Sequence, residues 1–145
     1  MPLYTIDTST IIARKLSDIP DGFLFSSIVL LERMASAKDD TERKQFEALY
    51  RVYREDNSLI IPNPDDWLLA SKVLFWLSQS RRKDASGRLT KLKTGAAQRM
   101  AFDALPATSA RRWQATVITE NYEDFKAIKY YVKGLKIIKG SKFFK

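Results

Sequence analysis

The chain has 145 residues, 45% of them hydrophobic, and carries 25 Lys and Arg against 17 Asp and Glu, for a net charge of +8. That length and apolar content suit one domain, residues 1–145, with a sizeable core. It contains no Cys and no His, which excludes a thiolate nucleophile, an imidazole base, a disulfide and a zinc site of the usual sulfur or nitrogen type.

Taken in chain order, residues 3–6 (Leu-Tyr-Thr-Ile) read as a strand, and Thr8, Ser9 or Thr10 can cap a helix opening at Ile11. Phe23, Leu24 and Phe25 form a brief apolar stretch, after which Ser26 and Ser27 cap a helix to about Ala37. Over residues 41–55, Phe46, Leu49, Tyr50 and Tyr53 recur at the spacing of one helix face. Residues 58–61 read as a strand stopped by Pro62 and Pro64. Asp65 and Asp66 then open a helix whose apolar face carries Trp67, Ala70, Val73, Leu74 and Leu77, and which ends near Arg82. A basic stretch follows, with Arg81, Arg82, Lys83, Arg88, Lys91, Lys93 and Arg99. Asp103 to Pro106 have the look of a first helical turn, because Pro is tolerated near a helix start, and that helix is expected to reach Arg112. A strand at 115–118, a short helix at 124–128 and a last strand at 135–138 complete the chain. This alternation predicts an α/β domain with a central, mostly parallel sheet flanked by helices in three layers.

The longest apolar runs, such as residues 28–31 and 67–70, fall far short of a membrane span, and the amino terminus lacks a basic stretch followed by an apolar one. A soluble, cytoplasmic protein with no membrane partner is expected. The positive charge points to an anionic partner. Arg81, Arg82, Lys91, Lys93 and Arg99 are the candidate nucleic-acid contacts, a solvated face being the competing reading.

The carboxylates are more specific. If the strands at 3–6 and 115–118 lie side by side and parallel, Asp7 meets the turn holding Asn121 and Asp124 at the carboxyl edge of the sheet, where open α/β sheets place ligands. Glu32 projects from a helix stripe formed by Ile28, Val29 and Ala35, and an ionised carboxylate there needs a partner or a metal. Asp103 lies between Phe102 and Ala104, where helix capping is the competing explanation. Ser9 and Thr119 are placed to orient these acids. With only oxygen donors on offer, the inventory suits hard cations such as Mg²⁺ or Mn²⁺.

Together these segments resemble PIN-domain ribonucleases, and VapC-like toxins in particular, over almost the whole chain. The resemblance rests on a first strand ending in Asp7-Thr8-Ser9, the Ser26 to Glu32 segment, Asp103, and a strand running into Thr119-x-Asn121-x-x-Asp124-Phe125. It implies a PIN-like fold and an Mg²⁺- or Mn²⁺-dependent endoribonuclease that uses metal-activated water and leaves 5′-phosphate and 3′-hydroxyl ends. The implied catalytic and metal-binding acids are Asp7, Glu32, Asp103 and Asp124, with Asn121 in support where many members carry Asp. The implied partners are RNA, a cognate antitoxin protein and a second copy in a homodimer. The alternative reading is a catalytically silent PIN-like module that binds nucleic acid or protein. A receiver-type phosphoacceptor fits less well, because the strand at 58–61 ends in Pro62 with no Asp before Asp65.

Overall fold

The computed structural model describes residues 2–79, 81–83, 89–91 and 94–144, with the backbone alone described for 81–83, 89–91 and 94–99. The strands are β1 (Leu3–Ile6), β2 (Phe25–Ser26), β3 (Leu59–Ile60), β4 (Arg81–Lys83), β5 (Leu89–Lys91), β6 (Ala115–Thr119) and β7 (Lys136–Lys139). The helices are α1 (Thr8–Ala13), α2 (Ser27–Ala35), α3 (Asp40–Glu55), α4 (Pro64–Gln79), α5 (Thr94–Arg112), α6 (Tyr122–Tyr131) and α7 (Gly140–Phe143), with a 3-10 turn at Leu16–Asp18.

β6 lies between β1 and β7, and both pairings are parallel, with Ile6 opposite Ile118 and Thr119 opposite Lys139. β2 and β3 pair in parallel with each other, and a parallel bridge from Thr5 to Leu24 joins them to β1. The chain therefore runs outward from β1 through β2 to β3, then returns to lay β6 on the other side of β1. The carboxyl ends of β1 and β6 flank this reversal of direction, the position at which such sheets hold their ligands.

Strand alternation divides the core into two faces. Ile6 and Ile118 point to one side, with Ile11, Phe25, Val29, Leu30 and Phe46. Val117 points to the other, with Val73, Leu77, Phe125, Ile128 and Leu135. Helices α2 and α3 cover the first face, and α4, α5 and α6 the second, which gives the expected three layers.

Several boundaries differ from the sequence reading. The helix expected to begin at Asp103 begins at Thr94, and Pro106 lies inside it. The Ala, Gln, Arg and Met residues before Asp103 favour helix strongly. Pro106 costs one hydrogen bond, to the Phe102 carbonyl, and does not set the start. The basic stretch forms an antiparallel hairpin, with Arg81 opposite Lys91, and α4 ends at Gln79 instead of near Arg82. Asp7, which its place before Thr8 and Ser9 also allows to be read as a plain cap, is the cap of α1 and accepts from the Thr10 amide; the hydroxyls at 8, 9 and 10 do not take that role.

Asp66 is buried, and its role exceeds a favourable charge at a helix start. Its carboxylate accepts from the Asn63 amide at 3.0 Å and from Arg112 Nε at 2.8 Å, while Arg112 Nη2 donates to the Ile61 carbonyl at 2.9 Å. Thr108 Oγ1 donates to the Asp66 carbonyl at 3.1 Å, so α4 and α5 are tied by polar contacts as well as by packing. Asp66→Ala removes the Arg112 ion pair and the acceptor of the Asn63 amide and is expected to lower stability by about 2 kcal/mol, measured by urea denaturation.

Candidate functional site

Asp7 ends β1 and caps α1, and its carboxylate is only 2% exposed. Burial on this scale is tolerated because the charge is saturated with donors. Oδ1 accepts from Ser9 Oγ (2.8 Å), the Thr10 amide (3.1 Å) and Thr10 Oγ1 (2.9 Å). Oδ2 accepts from Thr119 Oγ1 at 2.7 Å and lies 2.9 Å from Ser9 Oγ, whose one proton is shared between the two carboxylate oxygens. Burial pushes the Asp7 carboxyl up, and the hydrogen bonds from Thr119, Ser9 and Thr10 pull it back towards the ionised form.

The same hydroxyls reach across the cleft. The Glu120 amide donates to Ser9 Oγ at 3.1 Å, and the Asn121 amide donates to Thr119 Oγ1 at 2.9 Å. Ser9 and Thr119 therefore link Asp7 to the turn that opens α6. Thr10 is a third partner that the sequence reading treated only as a possible cap. The signal for it was its place one helical turn after Asp7, where an N-capping acid finds its donor.

Asp103 is the tenth residue of the 19-residue helix α5, so helix capping, the competing explanation for it, does not apply. It is half-buried, and its carboxyl is pushed up to about 7, first by burial and then by the negative charges of Asp7, Asp124 and Glu32. Three acids from three other parts of the chain thus act on Asp103 at this edge. Glu32 comes from α2 and is half-buried. Arg33, its adjacent candidate partner, instead reaches Glu42 at 3.5 Å and stacks over Phe46. Asp124 is exposed in the first turn of α6, where the helix dipole favours an acid. Asn121 caps α6 without using its side chain, which leaves the amide free of capping. With Glu120, Tyr122, Glu123 and Lys139, Asn121 and Asp124 line a concavity of about 250 Å³.

Among the described residues, no group of three or more acidic side chains is arranged to hold a metal ion. The acids converge in charge without closing into a cage. Their chemistry still fits a hard cation: every donor is an oxygen, and the raised Asp103 carboxyl marks burial and negative potential from the neighbouring acids. Of the candidate nucleic-acid contacts, Arg81, Arg82 and Lys91 lie on the β4–β5 hairpin and Arg99 on α5, where only the backbone is described, and Lys93 lies outside the described residues.

No family model and no curated protein matches the sequence. Among solved structures, the chain is similar to one in DNA-bound VapBC from Salmonella typhimurium, with a TM-score of 0.59 and 17% identity over 96% of this chain and 98% of that one. It is also similar to a chain of VapBC-5 from Mycobacterium tuberculosis, a member of the VapBC family of toxin-antitoxin systems (TM-score 0.57, 20% identity, 96% and 99% covered). A chain of VapBC2 from Rickettsia felis, bound to a fragment of promoter DNA, matches with a TM-score of 0.58 and 17% identity over 94% and 98%. At these identities the likeness is one of fold, and that fold is PIN-like.

The raised Asp103 carboxyl sets a pH dependence. Its pKa is about 7 in the folded chain against 3.8 for the free side chain, so the folded state binds more protons between those values and loses stability as pH rises through them. In EDTA, the thermal midpoint is expected to fall between pH 5 and pH 8, and Asp103→Asn to remove most of that fall. Calorimetry on both proteins at the two pH values checks it.

Proposed function

We propose that this chain is a divalent-metal-dependent endoribonuclease and acts as the toxin of a toxin-antitoxin pair. The observation that carries the proposal is the joint action of Asp7, Glu32 and Asp124 on Asp103 at the carboxyl edge of the sheet, on a fold shared with chains of VapBC complexes. VapBC-5, one of the proteins whose fold it shares, belongs to a family of toxin-antitoxin systems, which supports a protein antitoxin as partner here. A homodimer is part of the same proposal. Among the described residues, no helix is long and apolar enough to cross a membrane.

Asp7, Glu32, Asp103 and Asp124, with Asn121 in support, would hold Mg²⁺ or Mn²⁺. Bound there, the ion would supply a Lewis acid for a phosphate oxygen and lower the pKa of water to make an attacking group at neutral pH. The chain's own residues set up that chemistry. Ser9, Thr10 and Thr119 hold the Asp7 carboxylate in one orientation, so an acid fixed by its neighbours anchors the site. With its carboxyl raised to about 7, Asp103 is partly protonated at neutral pH, and a cation among these acids would favour its ionised form. No histidine or cysteine is present to act as base or nucleophile, which leaves proton transfer to carboxylates and water. The basic hairpin bearing Arg81, Arg82 and Lys91 and the helix bearing Arg99 and, beyond the described residues, Lys93 would contact the RNA backbone. Single-stranded RNA is commonly held by such charges.

A catalytically silent module that binds nucleic acid or protein is the second reading, and Asn121 in the place of an acid is the observation in its favour. Cleavage of an RNA panel with Mg²⁺, Mn²⁺ or EDTA, followed by end-group analysis, separates the two. Asp7→Asn and Asp103→Asn are each expected to reduce cleavage at least a hundredfold with the fold retained by circular dichroism, and wild-type rates in either would remove the assignment. The half-maximal Mg²⁺ concentration is expected to rise strongly in Asp124→Asn and to fall in Asn121→Asp.

A further inference from the structure

The opposite edge of the sheet carries the reverse charge. Where α5 ends before β6 and α6 ends before β7, Arg111, Arg112, Gln114, Lys133, Gly134 and Lys136 line an open concavity of about 550 Å³. It holds four cations and no carboxylate. We infer that this concavity is a phosphate-binding site that holds the backbone of the RNA strand, remote from the acidic cleft. The choice of RNA rests on the proposed function; the phosphate chemistry rests on the residues themselves.

The arginines are pre-positioned. Arg111 Nε donates to the Lys133 carbonyl at 3.0 Å, which ties the end of α5 to the turn after α6 and leaves both terminal nitrogens of the guanidinium without a partner among the described residues. Arg112 is fixed by Asp66 and the Ile61 carbonyl. A fixed guanidinium fork suits phosphate oxygens, with lysines adding point charge. Among the described residues, Arg111, Lys133 and Lys136 form no ion pair.

Helix dipoles supply a simpler explanation for part of this charge, because cations are favoured at helix carboxyl ends. That covers the two arginines in the last turn of α5, but Lys136 opens a strand. Asp66 offsets Arg112, and each of the two helix ends contributes about half a negative charge, so about two positive charges remain for a ligand. At Gly134 the backbone φ is +86° and nothing lies within 4 Å of where a Cβ would be, so the turn is open to a backbone phosphate. β6 spans about 16 Å between the two sites at the usual strand rise, a length that a few nucleotides of extended strand cover.

Binding of a labelled 20-nucleotide RNA in EDTA, from 50 to 200 mM salt, tests the site in the full chain. The double variant Lys133→Gln/Lys136→Gln is expected to bind on the order of tenfold more weakly at 100 mM salt, with the slope of log K against log salt smaller by about 1.4; Arg111→Gln is expected to act in the same direction. No binding by the wild type, or unchanged affinity and slope in the variants, would overturn the inference. An equal loss of affinity for polyglutamate would overturn the phosphate assignment, and shifts of the 133–136 amides by inorganic phosphate without any RNA effect would overturn the RNA assignment. Asp103→Asn is expected to keep wild-type RNA affinity while losing cleavage. If it cleaves normally, the nuclease reading fails and the binding result still stands on its own.

Discussion

The buried carboxylate of Asp7 is the constraint around which the carboxyl edge is built. An ionised acid cannot be placed at the end of a central strand without donors, and three hydroxyl-bearing residues from two segments of chain meet that need. Thr119 supplies one from 112 residues away, so satisfying Asp7 also fixes β6 against β1 and brings Asn121 and Asp124 to the cleft. The sheet register and the site geometry follow from the same contacts. Thr10 illustrates the economy of the arrangement, since its hydroxyl lies within bonding distance of both Asp7 Oδ1 (2.9 Å) and the Ile118 carbonyl (3.0 Å).

How much of this was legible in the sequence depends on whether the determining contact is local. The strand into Asp7 and the strand into Asn121 and Asp124 were readable because alternation, a capping acid and nearby hydroxyls all lie within a few residues. Asp103 was placed in the wrong part of its helix because Pro106 was given more weight than the helix formers before it, although one lost hydrogen bond does not end a helix with a packed face. The β4–β5 hairpin was missed because Arg and Lys carry little strand signal, and pairing rather than propensity makes those strands. Asp66 read as a dipole effect because its ion-pair partner lies 46 residues on, a distance at which no local pattern reports.

The parallel sheet also explains how charge is sorted. Every strand of β1, β6 and β7 runs the same way, so the turns entering the strands gather at one edge and those leaving gather at the other. Asp7, Asn121 and Asp124 follow strand ends, while Arg111, Arg112 and Lys133 precede strand starts. The cluster of acids around Asp103 and the four cations near Gly134 therefore lie about one strand length apart. That separation exceeds the Debye length at physiological salt, so the basic edge does little to relieve the repulsion among the acids.

This last point bears on why the acids are kept together at all. Burial, and then the negative charges of Asp7, Asp124 and Glu32, raise the Asp103 pKa to about 7, which in a purely structural setting is a standing cost to the folded state at neutral pH. A Ser or Gln at position 103 would serve helix α5 equally well. Asp66 shows the contrasting case: its buried carboxylate is paired with Arg112 and a backbone amide. Arginine thus neutralises a buried acid where the role is structural, while among the described residues Asp7, Glu32, Asp103 and Asp124 have no arginine in an ion pair. Under the proposed function, a divalent cation bound at this edge would relieve the repulsion among these acids.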